Sequence, residues 1–166
     1  MTLAVRPYAD GDWPAVAEII AEVLTAGETY AMPALDDAGA RDFWLGQPGA
    51  VAVAEVDGVV VGTAKMGPNR PAQGSHIGTA SFMVSTAARG AGVGRALGQH
   101  VVAWHREHGF AGIQFNAVVA TNEAAVALWR SLGFEVVGTV PRAFRRPDGS
   151  LVGLHVMFLD LAGMRS

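Results

Sequence analysis

Arg89-Gly90-Ala91-Gly92-Val93-Gly94 is the segment from which the fold class can be inferred. It stands between residues 76–85, whose composition is typical of a β-strand, and a stretch whose apolar residues recur at helical spacing. Glycine lets the backbone approach a bound group closely, and a helix N-terminus offers free N–H groups and the positive end of its dipole. The segment therefore predicts a strand–loop–helix unit that binds an anion such as a pyrophosphate.

The spacing of these glycines excludes two common nucleotide-binding loops. Counted from Gly92, the third glycine of the dinucleotide pattern G-x-G-x-x-G is replaced by Leu97, and G-x-x-x-x-G-K-[ST] does not occur. A glycine cluster also forms tight strand-to-helix connections that bind nothing. A purely structural turn is thus the alternative interpretation.

Strand and helix patterns alternate outward from this loop in both directions. Strands are predicted at 2–7, 50–56, 59–66, 76–85, 111–119, 134–140 and 152–159. One helix is predicted at 36–45, and three others are predicted to begin at residue 12, at residue 92 and at residue 121 or 122. The dipeptide Asp57-Gly58 predicts a type I′ hairpin turn between two of the strands. We expect an α/β (α+β) fold with a mixed sheet of about six or seven strands and helices on both faces.

Composition bounds the class of protein. The chain has 166 residues, of which 51% are hydrophobic, and we expect a single domain over residues 1–166. A net charge of −3 argues against nucleic acid or an anionic membrane as partner, and the absence of cysteine excludes disulfides and thiolate metal sites. No apolar run reaches the roughly 18 residues of a spanning helix, so we expect a cytoplasmic protein.

The glycine loop is part of a longer pattern. Residues 89–94 match the Q/R-x-x-G-x-G/A pyrophosphate loop of the GNAT superfamily of N-acetyltransferases, and the strand before it matches in position. Asn122, residues 125–129 and Leu132-Gly133-Phe134 resemble the later helix of that family and its L-G-F ending. The resemblance implies the GNAT fold with a splayed pair of parallel strands. It also implies acetyl-CoA as co-substrate, a small-molecule amine as acceptor, and homodimers as an assembly found among relatives.

The resemblance also implies which residues hold the coenzyme. The pyrophosphate would lie on the amides of residues 90–95, with arginine side chains adding charged contacts, and the pantetheine would follow residues 82–84. The implied cofactor-binding residues are Phe82, Met83, Val84, Arg89, Gly90, Ala91, Gly92, Val93, Gly94, Arg95, Asn122 and Trp129.

Acetyl transfer needs a base, an oxyanion donor and a proton for the leaving thiolate. An alkylamine has a pKa near ~10.4, so a group must remove its proton before it attacks the thioester. The base candidates are Glu28, His76 and His155, each of which has an ordinary structural role as its alternative. The resemblance suggests a backbone N–H near Met83 or Val84 for the oxyanion.

Trp129 stands where the family usually carries the tyrosine that protonates the thiolate. An indole N–H does not act as a general acid, so Tyr30, Ser81, water or the amine's own proton must replace that tyrosine. Trp129 would then have a packing role.

A resemblance to a narrower branch of the family indicates a class of acceptor. Ser75-His76, Phe115-Asn116, Thr121-Asn122 and Trp129 resemble the proline-analogue acetyltransferases of yeasts, which acetylate small cyclic amino acids. That resemblance implies that Asn116 holds the acceptor, the alternative being a buried amide that satisfies backbone groups. The chain departs from the branch at Thr79, where the branch has another asparagine.

The remaining polar clusters are assigned to solvent. We expect Arg142, Arg145 and Arg146 to form a solvent-facing turn, although they would favour an anionic substrate if they faced the acceptor. His105 and His108 lack a third ligand, so we expect no metal there but a solvated helix end. Two other functions stay open: a peptide or protein N-acetyltransferase, and a non-catalytic acyl-CoA sensor.

Overall fold

The computed structural model describes residues 1–163, which form one mixed sheet with helices on both faces. In chain order the elements are β1 (Leu3–Pro7), α1 (Trp13–Ala26), α2 (Asp37–Leu45), β2 (Ala50–Val56), β3 (Val59–Pro68), β4 (Ile77–Val84), α3 (Val93–Glu107), β5 (Gly112–Val119), α4 (Glu123–Ser131), β6 (Glu135–Arg145) and β7 (Leu151–Asp160). The strand order in the sheet is β1-β2-β3-β4-β5-β7-β6. Within residues 1–163 every neighbouring pair is antiparallel except β4 and β5, so the predicted mixed sheet is confirmed.

The hairpin between β2 and β3 turns at the predicted dipeptide. Asp57 has φ 51° and Gly58 has φ 80°, the pair of positive values that a type I′ turn requires. Aspartate tolerates this conformation better than most residues, and glycine has no Cβ to oppose it. The local sequence is therefore sufficient to specify this connection.

Alternation along the strands divides the core between the two faces of the sheet. Helices α1 and α2 pack on one face, where Val53 and Met83 are fully buried. Helix α3 packs on the opposite face against small residues such as Ala52 and Ala64, and α4 covers the β5 end of that face around Phe115. We call these the α1/α2 face and the α3/α4 face.

The two helices of the α3/α4 face approach each other closely at a glycine. A Cβ at Gly98 would lie 2.7 Å from Leu132 Cδ1 and 3.0 Å from Trp129 Cζ3. Asn122 begins α4, because its side chain accepts a hydrogen bond from the backbone N–H of Ala125 at 3.2 Å. The cap and the close contact set the position of α4 beside the β4–β5 strands.

The prediction of a solvated end for α3 is wrong for His105. This side chain is fully buried, and its Nδ1 donates a hydrogen bond to the carbonyl of Val101 at 2.7 Å. Its ring lies against Gly78, where a Cβ would come within 2.2 Å of Nε2. Because glycine leaves room at the start of β4, the last turn of α3 packs onto the sheet there.

The arginine-rich segment is mostly strand rather than turn, so that prediction is also corrected. Strand β6 runs on to Arg145, and its register with β7 shifts between Val140 and Phe144, where three residues of β6 oppose one of β7. Arg142 has φ 55° in this bulge. A bulge bends a strand locally and increases its twist.

Candidate active site

A cleft opens where the parallel strands β4 and β5 separate. Their register contains two partner positions, Ile77 with Gly112 and Gly78 with Ile113, and the strands diverge beyond them. The cleft has a volume of about 930 Å³, a size typical of ligand sites. Its walls come from both strands, the glycine loop and α4, together with residues 28–31 and the far end of the β6–β7 hairpin. The predicted splay of a parallel pair is thus present.

The glycine loop forms one end of this cleft, next to the N-terminus of α3. Gly90 and Gly92 both have φ 81°, which residues with a side chain rarely adopt. The backbone hydrogen bond from Ala96 N–H to the carbonyl of Gly92 is the first of α3, so the amides of residues 92–95 have no acceptor inside the helix. Several N–H groups and the positive end of the helix dipole therefore meet here.

Glu22 supports the loop, and the sequence analysis missed it. Its Oε1 accepts a hydrogen bond from the backbone N–H of Thr86 at 2.7 Å, and the residue lines the cleft. Hydrogen bonds from Thr86 hold the pKa of Glu22 below its usual value. Its helical position predicts a solvent-facing side chain, and only the tertiary contact between α1 and the loop reveals its role.

The two arginines of the loop differ in their surroundings. Arg89 lines the cleft, whereas Arg95 Nη2 donates a hydrogen bond to Ser131 Oγ at 3.0 Å while also lining the cleft. Arg95 therefore links the first turn of α3 to α4 in this structure. Both guanidinium groups stand at the end of the cleft that the helix dipole makes attractive to anions.

The free edge of β4 is occupied by a tyrosine hydroxyl. Tyr30 Oη donates to the carbonyl of Phe82 at 2.8 Å and accepts from its N–H at 3.0 Å, so the polar groups of Phe82 face away from β3. Ser85 N–H bonds to β3, and alternation then directs the Met83 amide to β3 and the Val84 amide into the gap. Burial raises the pKa of Tyr30 to about 12, which keeps the phenol protonated at neutral pH.

Aromatic side chains form the apolar wall of the cleft. Trp129 packs on Phe82, with ring centroids 4.6 Å apart, and on Phe115, with ring centroids 4.9 Å apart. Phe115 in turn stacks on Phe134 at 4.3 Å. Trp129 is 7% exposed and lines the cleft. Trp129 therefore packs in the core and also forms part of the cleft surface.

Asn116 lies at a bulge in β5 and lines the cleft. The register of β5 with β7 shifts between Phe115 and Val118, and the Asn116 side chain is exposed. Its Oδ1 accepts from Gln114 Nε2 at 2.9 Å, and its Nδ2 donates to Asn69 Oδ1 at 2.7 Å. The alternative of a buried amide is therefore wrong. The bulge turns this side chain toward the cleft, and the two neighbouring amides orient it.

The base candidates occupy different places. Glu28 lines the cleft, as do Ser81 and Thr79 on β4. His76 is exposed and His155 bonds through Nδ1 to Thr139 Oγ1 at 2.7 Å. Within the described part of the chain, neither histidine is among the residues that line the cleft. The structure thus brings Glu28 to the site and leaves His76 outside it.

The β6–β7 hairpin contributes Phe144, Arg146 and Leu154 to the cleft, although the sequence predicted a solvent-facing position for Arg146, with the acceptor as the alternative. Phe144 is 4% exposed and Arg146 is half-buried, and both line the cleft. Arg142 and Arg145 are exposed, as predicted for all three arginines. The solvent-facing prediction is wrong for Arg146, because the end of the hairpin lies beside the C-terminus of α1, where a Cβ at Gly27 would be 3.7 Å from Pro147 Cγ.

Asn122 lines the same cleft beside the glycine loop. Its Oδ1 caps α4, which leaves the Nδ2 group as the part of this side chain able to donate to a ligand.

Comparison with known proteins agrees with this geometry. The model of the Acetyltransferase (GNAT) family matches residues 13–134. A GCN5-related N-acetyltransferase from Kribbella flavida is 53% identical, with a TM-score of 0.91 and coverage of 96% of this chain and 98% of that chain. A ribosomal-protein-alanine N-acetyltransferase from Brucella melitensis is 32% identical, with a TM-score of 0.82 and coverage of 95% and 99%. A phosphinothricin acetyltransferase from Sinorhizobium meliloti, in complex with AcCoA, is 26% identical, with a TM-score of 0.84 and coverage of 97% and 89%.

A curated relative matches over a shorter stretch. N-acetyltransferase aca1 of Schizosaccharomyces pombe is 35% identical over 86 residues, which are 52% of this chain and 41% of that protein. The match therefore spans less than half the length of the curated relatives. Among residues 1–163, no helix has the length and apolar character needed to cross a bilayer.

Proposed function

This chain belongs to the acetyltransferase (GNAT) family, and on that premise we propose that it transfers the acetyl group of acetyl-CoA to the amine of a small molecule. Amino acids and their analogues are the acceptor class to be tested first. The observation that best supports this proposal is the cleft between β4 and β5, which has the glycine loop at one end and polar residues of the α1/α2 face at the other.

The residues present fit acetyl-CoA. The glycine loop offers unpaired amides for the pyrophosphate, and Gly90 leaves open space where a Cβ would otherwise stand. Tyr30 occupies the backbone groups of Phe82, so a pantetheine amide would bond to the other backbone groups of β4 that face the gap, and Trp129 with its aromatic neighbours offers an apolar wall. Coenzyme A supplies the thioester whose carbonyl the acceptor attacks.

The cleft residues have separate tasks in this reaction. Glu28 takes a proton from the acceptor ammonium, directly or through water, and the Val84 N–H stabilises the oxyanion of the tetrahedral intermediate. Asn116 orients the acceptor with its exposed amide. As the C–N bond forms and the C–S bond breaks, the protonated hydroxyl of Tyr30 gives its proton to the departing thiolate and takes up the second amine proton in return. Tyr30 thereby replaces the tyrosine that the family usually carries at the position of Trp129.

Cyclic amino acids of the proline-analogue type are the narrower proposal. The resemblance to that branch includes Asn116, and this side chain is exposed in the cleft at a bulge rather than buried. Thr79, at which the chain departs from the branch, lines the same cleft. The change at this position alters the polar surface presented to the acceptor.

A second candidate function is acetylation of a protein N-terminus. The observation in its favour is the 32% identity to a protein named as a ribosomal-protein-alanine N-acetyltransferase, over nearly the full length of both chains. The third candidate function is that of a non-catalytic acyl-CoA sensor. The observation in its favour is that Trp129 replaces the tyrosine that the family usually carries at this position.

The test is thiol release from acetyl-CoA with a panel of amino acids, proline analogues, polyamines, amine antibiotics and an alanine-initiated peptide. Asn116→Ala is run beside Gln99→Ala, an exposed position on α3, as the matched control. The proposal expects release with an amino-acid acceptor that only Asn116→Ala abolishes. Release with the peptide alone supports the second candidate, and calorimetric binding of acetyl-CoA without any release supports the sensor.

A further inference from the structure

We propose that Arg146 binds a carboxylate of the acceptor, so that the preferred substrates are amines that also carry an acid group. The inference rests on the proposed function, because it concerns the acceptor end of the same cleft. It identifies a residue that determines specificity and separates free amino acids from peptides and simple amines.

The first observation is the location of Arg146. Of the three arginines near the end of β6, Arg142 and Arg145 are exposed, whereas Arg146 is half-buried and lines the cleft. Phe144 and Leu154 of the same hairpin, both apolar, also line the cleft. A half-buried guanidinium is less well hydrated than an exposed one, and it gains more from an anionic partner.

The second observation concerns the carboxylates available to this arginine within the protein. Arg146 forms no salt bridge with a carboxylate of residues 1–163. Asp148 Oδ1 accepts hydrogen bonds from Ser150 N–H at 2.9 Å and Ser150 Oγ at 2.6 Å, and these bonds, followed by the more distant charge of Arg146, hold the pKa of Asp148 below its usual value. The guanidinium is therefore available to a carboxylate from outside.

The third observation is that the backbone holds Arg146 in place. Its N–H donates to the carbonyl of Ser150 and its carbonyl accepts from Gly149 N–H, both at 2.8 Å. Pro147, the next residue, packs beside the α1–α2 connection, because a Cβ at Gly27 would lie 3.7 Å from Pro147 Cγ. A residue fixed on both sides loses little backbone freedom when it binds a ligand.

These contacts bring together the two chain segments that carry Glu28 and Arg146, residues of opposite charge. Glu28 follows Gly27 in the connection that touches the hairpin, and both Glu28 and Arg146 line the cleft. An acceptor with an amine and a carboxylate is complementary to this pair, since its amine meets Glu28 and Asn116 while its carboxylate meets Arg146. The N-terminal residue of a peptide has a neutral amide where a free amino acid has its carboxylate.

The test compares each acceptor amino acid with its own carboxamide at saturating acetyl-CoA. Arg146→Gln removes the charge, and Arg145→Gln, at the exposed residue that ends β6 just before Arg146, is the matched control. We expect Arg146→Gln to raise KM for the acid by about tenfold or more, as for loss of a charge-assisted hydrogen bond, with kcat little changed. KM for the carboxamide stays within about twofold of the wild-type value, and Arg145→Gln changes neither.

The inference is overturned if Arg146→Gln affects acid and carboxamide equally, or affects neither. It is also overturned if the variant weakens calorimetric binding of acetyl-CoA, which would assign Arg146 to the coenzyme. Release with carboxamides or simple amines but not with acids refutes the inference and leaves the proposed function intact. Release with none of these acceptors refutes both.

Discussion

Substitution of Gly90 by alanine should weaken coenzyme binding more than it weakens the fold. Gly90 has φ 81°, and a Cβ built there meets nothing within 4 Å. The substitution therefore causes no steric clash within the protein. Its cost is the left-handed backbone conformation, which is roughly 1–2 kcal/mol for a residue with a side chain.

The same chain offers a matched control at Gly109. This residue has φ 75° and equally open space around its Cβ position, but it follows α3 at the end opposite the glycine loop. Gly109→Ala should therefore have the same conformational cost of about 1–2 kcal/mol. For a chain of this size that cost lowers Tm by roughly 2–4 °C for each kcal/mol.

The two variants should differ in affinity for coenzyme A. At Gly90 the loop can relieve its strain only by moving its amides, and the added methyl group occupies space where a phosphate approaches the backbone. We expect Kd for coenzyme A to rise about tenfold or more in Gly90→Ala and to stay within about twofold of wild type in Gly109→Ala. Calorimetric titration gives Kd, and thermal melts verify that the stability losses match. Equal affinities for the two variants would refute the assignment of this loop to the pyrophosphate.

Three further predictions concern groups elsewhere in the fold. Thr63→Val should lower the free energy of unfolding by about 2–4 kcal/mol, because Thr63 Oγ1 accepts a hydrogen bond from Trp44 Nε1 at 3.0 Å and donates one to a β2 carbonyl at 2.9 Å. Urea titration measures this loss, with Thr63→Ser, which keeps the hydroxyl, as the control. Equal losses of stability in the two variants would contradict the prediction. Burial lowers the pKa of His105, so that on acidification its imidazole is protonated in the unfolded chain before it is protonated in the native chain. The free energy of unfolding should then fall as pH drops below about 6.5, by at most ~1.4 kcal/mol per pH unit. Chemical denaturation at several pH values measures this dependence. If the His105→Phe variant shows the same dependence of stability on pH, His105 is not its cause. Tyr30→Phe should reduce kcat about 100-fold if its hydroxyl transfers the proton, and a loss below about tenfold in the thiol-release assay would limit Tyr30 to holding Phe82.

The coenzyme half of the site was predictable because it depends on short segments. The left-handed glycines at positions 90 and 92, the cap formed by Asn122 and the turn at Asp57-Gly58 each follow from the conformational preferences of a few adjacent residues. The anion site needs only a loop and a helix N-terminus next to each other in sequence. Local order of this kind is encoded in a single stretch of chain.

The acceptor half was less predictable because its members come from distant segments. Asn116 is oriented by Asn69, 47 positions earlier, and Tyr30 bonds to Phe82, 52 positions later. Glu22 reaches Thr86 across 64 positions, and its helical spacing alone indicates a solvent-facing residue. Such partners meet only when the sheet is assembled and the helices pack on it.

The sequence by itself determined the alternation of strands and helices, the glycine loop before α3 and the family resemblance, since periodicity and glycine conformation act over a few residues. Only the tertiary structure decided that His105 is buried, that His76 stays outside the cleft and that Arg146 enters it. Side chains of one type, such as the arginines of β6, have the same local preference for solvent. Their different surroundings arise because the end of the hairpin packs beside the C-terminus of α1, a contact between segments about 120 positions apart that no local pattern specifies.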